Sequence, residues 1–440
     1  MLAKELAISA VARLREAGFA AFLVGGCVRD FLLGFEPKDY DVATAATPAQ
    51  VTALFNGSNL VGAQFGVVLV RDGSAQVEVA TFRSDNDYQD GRRPSEVTFE
   101  QNPEQDALRR DFTVNALLLD PERGEVLDFV GGRADLEGGV IRAIGDPARR
   151  FREDHLRLLR AVRFAARLEF AIEPATFAAI REHAGFIRDV SAERVRDEIS
   201  RMLNGPHPRR AFELLDETGL LDQILPEVAA MKGVEQPAEF HPEGDVWQHT
   251  MLMLEGLEHP SVTLAWGVLL HDVGKPGTFA RAADRIRFNG HVEEGIRIAR
   301  DILGRLRYSH DEIAQVLALI ANHMKFKDVP QMKESTVKRF VRQPDFEEHM
   351  ALHRLDCLSS HGSLGNYEFV RRKLQETPPE LLKPAPLISG QDLIGAGYKP
   401  GPLFRKALQS VEEAQLNEEI HTRAEAMTVA QGVLDSAPLA

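Results

Sequence analysis

Cysteine is nearly absent. Cys27 and Cys357 are the only two in 440 residues, which excludes a disulfide framework and points to a reducing compartment, the cytoplasm. Long apolar runs are absent too: the longest, Val262 to Leu270, falls far short of the roughly 20 residues that cross a bilayer. The first residues, Met1-Leu2-Ala3-Lys4-Glu5, carry a charge pair within a helical pattern and not the apolar stretch of a signal peptide. There is no internal repeat and no low-complexity tract. Positive charge is scarce, with 52 Lys and Arg against 66 Asp and Glu and a net charge of −14. Taken alone, that balance argues against a nucleic-acid partner.

What is present is globular, with 44% hydrophobic and 27% charged residues, in a chain too long for one ordinary domain. The charge is also uneven. Between Arg142 and Arg167, eight arginines (142, 149, 150, 152, 157, 160, 163 and 167) stand against Asp146, Glu153 and Asp154, a local excess of five positive charges. A basic stretch inside an acidic chain restores a polyanionic partner to consideration.

Periodicity divides the chain. Up to about residue 140, short β-like runs (21–24, 67–70, 77–80, 126–130) mix with helices predicted over 2–17 and 48–55. Beyond Asp146-Pro147, apolar residues recur at helical spacing almost to the end. Asn204-Gly205-Pro206-His207-Pro208 breaks one helix, residues 232–244 are turn-rich, and the proline-bearing segment 377–401 leads into a last helical tail. The expected organisation is an α/β head with a mixed sheet (1–140), a helical neck (141–231), a second helical domain (232–376) and a tail (377–440).

The densest signals lie in the head. A strand running into Gly25-Gly26 and then a helix lets the backbone approach a phosphate, with Arg29 as a cationic fork. The same glycines also suit a plain connection. Asp39 and Asp41, two apart on a strand predicted over 39–43, project from one face, and carboxylates that close repel unless a cation lies between them. Mg²⁺, with its preference for carboxylate and phosphate oxygens, fits that pair. Glu78, on the run 77–80, is either a third ligand or an edge-strand charge. Arg109 and Arg110 could hold a triphosphate while Asp111 accepts a ribose hydroxyl, or the three could form a charged turn. Asp154 and Arg157, three apart on a predicted helix, share a face and could bond the edge of a base, or simply each other.

Together these residues resemble the class II tRNA nucleotidyltransferases and related bacterial poly(A) polymerases of the DNA polymerase β-like superfamily. The Gly-Gly-x-Val-Arg-Asp run followed by Asp-x-Asp stands at Gly25–Asp30 and Asp39/Asp41. Arg-Arg-Asp-Phe-Thr-x-Asn-Ala stands at Arg109–Ala116 and includes Asn115. Asp128 with Gly132–Leu136 matches a third motif, Glu153-Asp154-x-x-Arg157 a fourth, and Arg160–Arg167, with Arg160 and Arg163, a fifth. The resemblance implies a polymerase β-like head that uses Mg²⁺ at Asp39 and Asp41, with Glu78, to add CCA to the 3′ end of tRNA. It further implies that Asp154 and Arg157 select CTP and ATP without a template. The polar stretch Arg83–Pro94 reads as a mobile loop of the kind related enzymes use to change from C to A addition.

A second constellation lies in the helical region: His249, His271-Asp272, His291, His323 and Asp356. Imidazoles and carboxylates on neighbouring helices can enclose one or two divalent cations. The set resembles the HD phosphohydrolases, and His291 and His323 match the extra histidines of their binuclear members. That implies a transition metal such as Mn²⁺, Ni²⁺, Co²⁺ or Fe²⁺ and hydrolysis of 2′,3′-cyclic phosphates or phosphomonoesters. Lys275 is expected either to assist a phosphate or to face solvent. Addition of A alone, or of poly(A), is the alternative within the same chemistry. A hydrolase whose head only binds RNA is the alternative from another class.

Overall fold

The computed structural model describes residues 2–55, 58–60, 66–88, 94–239 and 241–436. The chain folds as two compact units, residues 1–229 with 305–307 and residues 230–304 with 308–440. In the first, the helix Ala3–Glu16 buries Leu6, Ala10 and Leu14, one face at helical spacing, against a sheet. The strands are β1 (Ala21–Val24), β2 (Asp41–Thr44), β3 (Asn59–Leu60), β4 (Val67–Asp72), β5 (Ala75–Thr81), β6 (Arg83–Tyr88), β7 (Pro94–Phe99), β8 (Leu118–Asp120) and β9 (Glu125–Leu127). Seven form one sheet in the order β3-β4-β5-β2-β1-β8-β9. It is mixed, because β2 runs parallel to β5 and antiparallel to β1. β5 shows the period-two logic plainly: Ala75, Val77, Val79 and Thr81 are buried, whereas Gln76 and Glu78 face solvent.

Three local expectations are corrected. The strand predicted over 39–43 begins only at Asp41, so Asp39 lies in the bend before it. The run 126–130 stops as a strand at Leu127, because the Asp128 carboxylate turns the chain by accepting the backbone N–H groups of Val130, Gly131, Gly132 and Arg133 at 2.9–3.1 Å. Asp135 accepts the Thr113 hydroxyl at 2.7 Å and Arg142 at 3.0 Å. The third motif therefore builds structure. Finally, the segment read as a loop over Arg83–Pro94 pairs at both ends as the antiparallel β6-β7 ribbon; residues 89–93 lie outside the described residues.

Beyond Asp146 the chain is helical apart from two-residue strands. In the second unit, helices Val246–Glu255, Val262–Leu270, His310–Asn322 and Phe346–Ser359 pack on one another. The apolar run of 262–270 is a core helix with Ala265 to Leu270 all buried. Among the described residues no helix is long and apolar enough to cross a membrane.

Candidate active sites

A cavity of about 890 Å³ opens in the first unit. The residues singled out in the sequence converge on it: Gly25, Gly26 and Arg29, then Asp39 and Asp41, then Arg109, Arg110, Asp111 and Asn115, and finally Asp154, Arg157, Arg160 and Arg163. Gly25 is needed at the turn. Its φ is +79°, and a β-carbon there would stand 3.4 Å from an Arg110 guanidinium nitrogen.

The arginines are held by buried acids. Asp106 (1% exposed) takes Arg109 at 2.6 Å and Arg110 at 2.9 Å. Asp30 bridges Arg29 (2.6 Å) and Arg167 (2.9 Å), and Arg29 also donates to the Asn115 amide oxygen. Glu198 holds Arg163 at 2.6 Å. Asp111 accepts Arg160 at 2.6 and 2.8 Å; burial alone would raise its carboxyl, but Arg160 outweighs that and holds it down to about 2. Asp111 is thus committed to Arg160, to Asn115 and to the Phe112 amide. These pairings fix the guanidinium forks in place, so little side-chain entropy remains to be lost when an anion binds.

The carboxylates beside Arg110 behave differently. Asp41 sits in register beside Glu78 on the parallel strand β5. Burial, then the charge of Glu78, and more weakly that of Asp39, push the Asp41 carboxyl up to about 6 against the pull of Arg110. Glu78 is an interior-strand residue, not an edge charge, but it is absent from the cavity lining. A carboxylate raised by burial and by two neighbouring acids is the kind of donor that a divalent cation relieves.

Asp154 and Arg157 both line the cavity, but they do not share a helical face. The helix Pro147–Glu153 ends at Glu153, Asp154 is extended (φ −142°, ψ 106°), and the next helix starts at Arg157. Arg157 is gripped by Glu153 at 2.8 Å, and Asp154 by Arg194 at 3.1 Å. The i,i+3 pair read from the sequence is therefore two separately anchored groups.

In the second unit, a cavity of about 920 Å³ is lined by Asp272, His291, His323 and Asp356 among others. His249 and His271 are buried, their rings 5.4 Å apart. Each imidazole donates its Nδ1–H to a fixed acceptor: His271 to Val268 O, His291 to Phe288 O, His323 to Ile320 O, and His249 to Glu243, at 2.7–2.8 Å. Their Nε2 atoms make no hydrogen bond among the described residues, nor does Asp272 Oδ1. Nδ1 anchored to a carbonyl, or in His249 to the Glu243 carboxylate, with Nε2 facing Asp272 or Asp356 at 3.1–3.8 Å, is the arrangement of histidine metal ligands, and two subsets, His249/His271/Asp272 and Asp272/His291/His323, place one donor atom each within 4.8 Å. Burial pushes His323 down to about 4, and His291 is also lowered by burial, so both offer neutral imidazole at pH 7. His249 is raised to about 9, where the Asp356 and Glu243 carboxylates outweigh burial. Gly274 permits the packing, since a β-carbon there would lie 2.1 Å from His291 O. Lys275 does not face solvent: it is 7% exposed and bonds Asp272 and Gln236 at 2.6 Å.

Several residues escaped the sequence reading. Asp106 had a usable signal, three and four positions before the arginines it holds. Glu198 and Arg194 had none, because their partners lie 35 and 40 residues away. Glu243 was passed over in a turn-rich stretch, yet its Oε1 takes His249 at 2.7 Å and His241 at 2.9 Å. Carboxylates behind metal-binding histidines typically contribute 10–100-fold to metal affinity. Glu243→Gln should therefore weaken Mn²⁺ binding to this unit by about tenfold in isothermal titration. Unchanged affinity would make Glu243 a packing residue only.

Comparison with known proteins identifies the domains that carry most of these residues. Residues 21–142 match the Poly A polymerase head domain, residues 169–232 the probable RNA and SrmB-binding site of polymerase A, and residues 245–360 the HD domain. The first unit is accordingly a nucleotidyltransferase head with its helical extension, and the second carries an HD domain. A CCA-adding enzyme of Limosilactobacillus reuteri is 33% identical over 419 residues, 94% of this chain and 92% of that protein. One from Geobacillus stearothermophilus is 44% identical over 223 residues, 51% of this chain and 55% of that one. The crystal structure of the Bacillus stearothermophilus CCA-adding enzyme in complex with CTP superposes with a TM-score of 0.74 at 27% identity, covering 98% of this chain and 99% of that chain. The chain belongs to the CCA-adding enzyme family.

Proposed function

We propose that this chain is a cytoplasmic enzyme that adds C, C and A to the 3′ end of tRNA from CTP and ATP, with no nucleic-acid template. The observation that carries the reading is one cavity lined by Asp39 and Asp41, by the anchored Arg109 and Arg110, and by Asp154 with Arg157 at a helix break. Arg109 and Arg110 bind the triphosphate. Asp39 and Asp41, with Glu78 behind them, would hold Mg²⁺, which when bound neutralises phosphate charge and eases ionisation of the attacking hydroxyl. The O3′–Pα bond forms as the bond from Pα to pyrophosphate breaks, and the side chains contribute mainly by positioning.

Base choice follows from donor and acceptor chemistry. Cytosine and adenine each present an amino donor beside a ring-nitrogen acceptor, and uracil and guanine present the reverse. A carboxylate only accepts and a guanidinium only donates, so Asp154 with Arg157 complements C and A and leaves groups unpaired against U and G. Incubation of the protein with tRNA lacking CCA, and with CTP, ATP or both, tests the reading. Ordered addition of C, C and A is expected, and addition of A alone would replace it with the poly(A) or A-adding alternative.

The HD unit would hydrolyse 2′,3′-cyclic phosphates or phosphomonoesters. Its imidazole-rich donor set suits Mn²⁺, Ni²⁺, Co²⁺ or Fe²⁺ better than Mg²⁺. His249, His271, Asp272, His291, His323 and Asp356 would hold the cation, whose chemistry there would be to ease ionisation of a water near neutral pH. Lys275 and Lys327 line the same cavity and offer charge to the phosphate.

A further inference from the structure

Asp154 sits at a break between two helices and is only partly buried, its side chain 20% exposed. It belongs to neither flanking helix, and its backbone is extended. A short side chain at such a break has freedom to rotate, and a carboxylate that rotates cannot present a fixed acceptor to a base. Two contacts remove that freedom. Oδ1 accepts the Leu156 backbone N–H at 3.1 Å, and one Arg194 guanidinium nitrogen reaches both carboxylate oxygens, each at 3.1 Å. Arg194 comes from the helix Ala192–Leu203, 40 residues further along the chain, and is itself half-buried with its side chain 25% exposed. It does not line the cavity, whereas Asp154 does. Of the roughly four acceptor sites on a carboxylate, three are then used, and the remaining capacity is free for an exocyclic amino group.

We propose that Arg194 is a specificity-determining positioning residue, which orients the Asp154 carboxylate toward the amino group of the incoming cytosine or adenine and so sets discrimination against uracil and guanine. The inference rests on the reading of Asp154 as a base-contacting group. Arg194 reaches no nucleotide and acts only through Asp154, in the manner of a buried ion that fixes a hydrogen-bonding neighbour.

The test is a comparison of kcat/KM for CTP and UTP on tRNA lacking CCA, in wild type and in Arg194→Ala, Arg194→Lys, Asp154→Ala and the double variant. Loss of one oriented hydrogen bond corresponds to about a tenfold fall in the CTP/UTP ratio for Arg194→Ala. The fall should appear mainly in KM for CTP. Arg194→Lys keeps the charge but replaces the planar fork with a point donor, and should fall between the two, which keeps the test usable if the alanine variant folds poorly. The double variant should match Asp154→Ala alone, because the two residues act in series. A merely structural arginine would lower CTP and UTP incorporation together, and an unchanged ratio in Arg194→Ala and Arg194→Lys overturns the proposal. An unchanged ratio in Asp154→Ala overturns the reading of Asp154 itself and the proposal with it.

Discussion

Replacement of Asp41 by asparagine is expected to lower nucleotide addition by about a thousandfold while making the metal-free protein more stable. Both effects have one cause. Asp41 lies beside Glu78 and near Asp39, and burial together with those charges lifts its carboxyl to about 6 in the folded protein. Its ordinary value, which the unfolded chain shows, is near 4. Between those values the folded state holds more protons than the unfolded one, so this group's contribution to stability falls as pH rises through the window and is a net cost above it. With its partial exposure allowed for, that cost is on the order of 2 kcal/mol at pH 7. Asparagine removes it but cannot hold the cation. Thermal melts in chelator should therefore show the variant ahead of wild type at pH 7, with the gap closing as pH falls and gone only below about pH 4. Equal melting at both pH values would refute the like-charge account. Nucleotide addition at the wild-type rate would refute the placement of the cation.

Asp272→Asn should have the largest effect on the second unit: divalent-cation affinity down by at least about a hundredfold, phosphohydrolase activity lost, and nucleotide addition unchanged. Asp272 is fully buried, with Oδ1 3.8 Å from both His291 Nε2 and His323 Nε2 and Oδ2 3.1 Å from His271 Nε2. Burial would raise its carboxyl, but His271 and Lys275 outweigh it and hold the group well below the usual range, ionised and ready to ligate. It is the one donor shared by the two candidate ligand sets. The substitution also leaves Lys275 buried without its carboxylate, at a cost of about 3 kcal/mol. His291→Ala, which spares that ion pair, separates the two contributions: it should lose cation affinity with little change in melting temperature. Titration with Mn²⁺ or Ni²⁺ by calorimetry reads both variants. Unaltered affinity in both would remove the metal from this site.

How far the sequence could be read depended on the range of each interaction. The head's strands and the helical remainder followed from apolar spacing, which is local. Gly25-Gly26, Arg109-Arg110 and His271-Asp272 were recognisable because residues that act together there are neighbours in the chain. The errors came where a boundary was decided by side chains and not by period. Asp128 ends β9 by capping four amides, and the helix break at Asp154 turns a supposed surface pair into two groups with different partners. The basic stretch of 142–167 was visible as a place for a polyanion, but not the acids that hold its arginines, such as Glu198 on a helix 35 residues beyond Arg163.

By itself the amino-acid sequence determined the chemistry available: which acids, arginines and histidines stand close enough in the chain to act as motifs, and which order of α/β and helical segments carries them. Only the tertiary structure decided how those groups are held. Asp106, Glu198, Arg194 and Glu243 lock the working side chains, and β5 delivers Glu78 beside Asp41. The physical reason is that an ion pair or an unspent imidazole nitrogen gains its meaning from burial and from partners tens of residues away, and burial is a property of the fold.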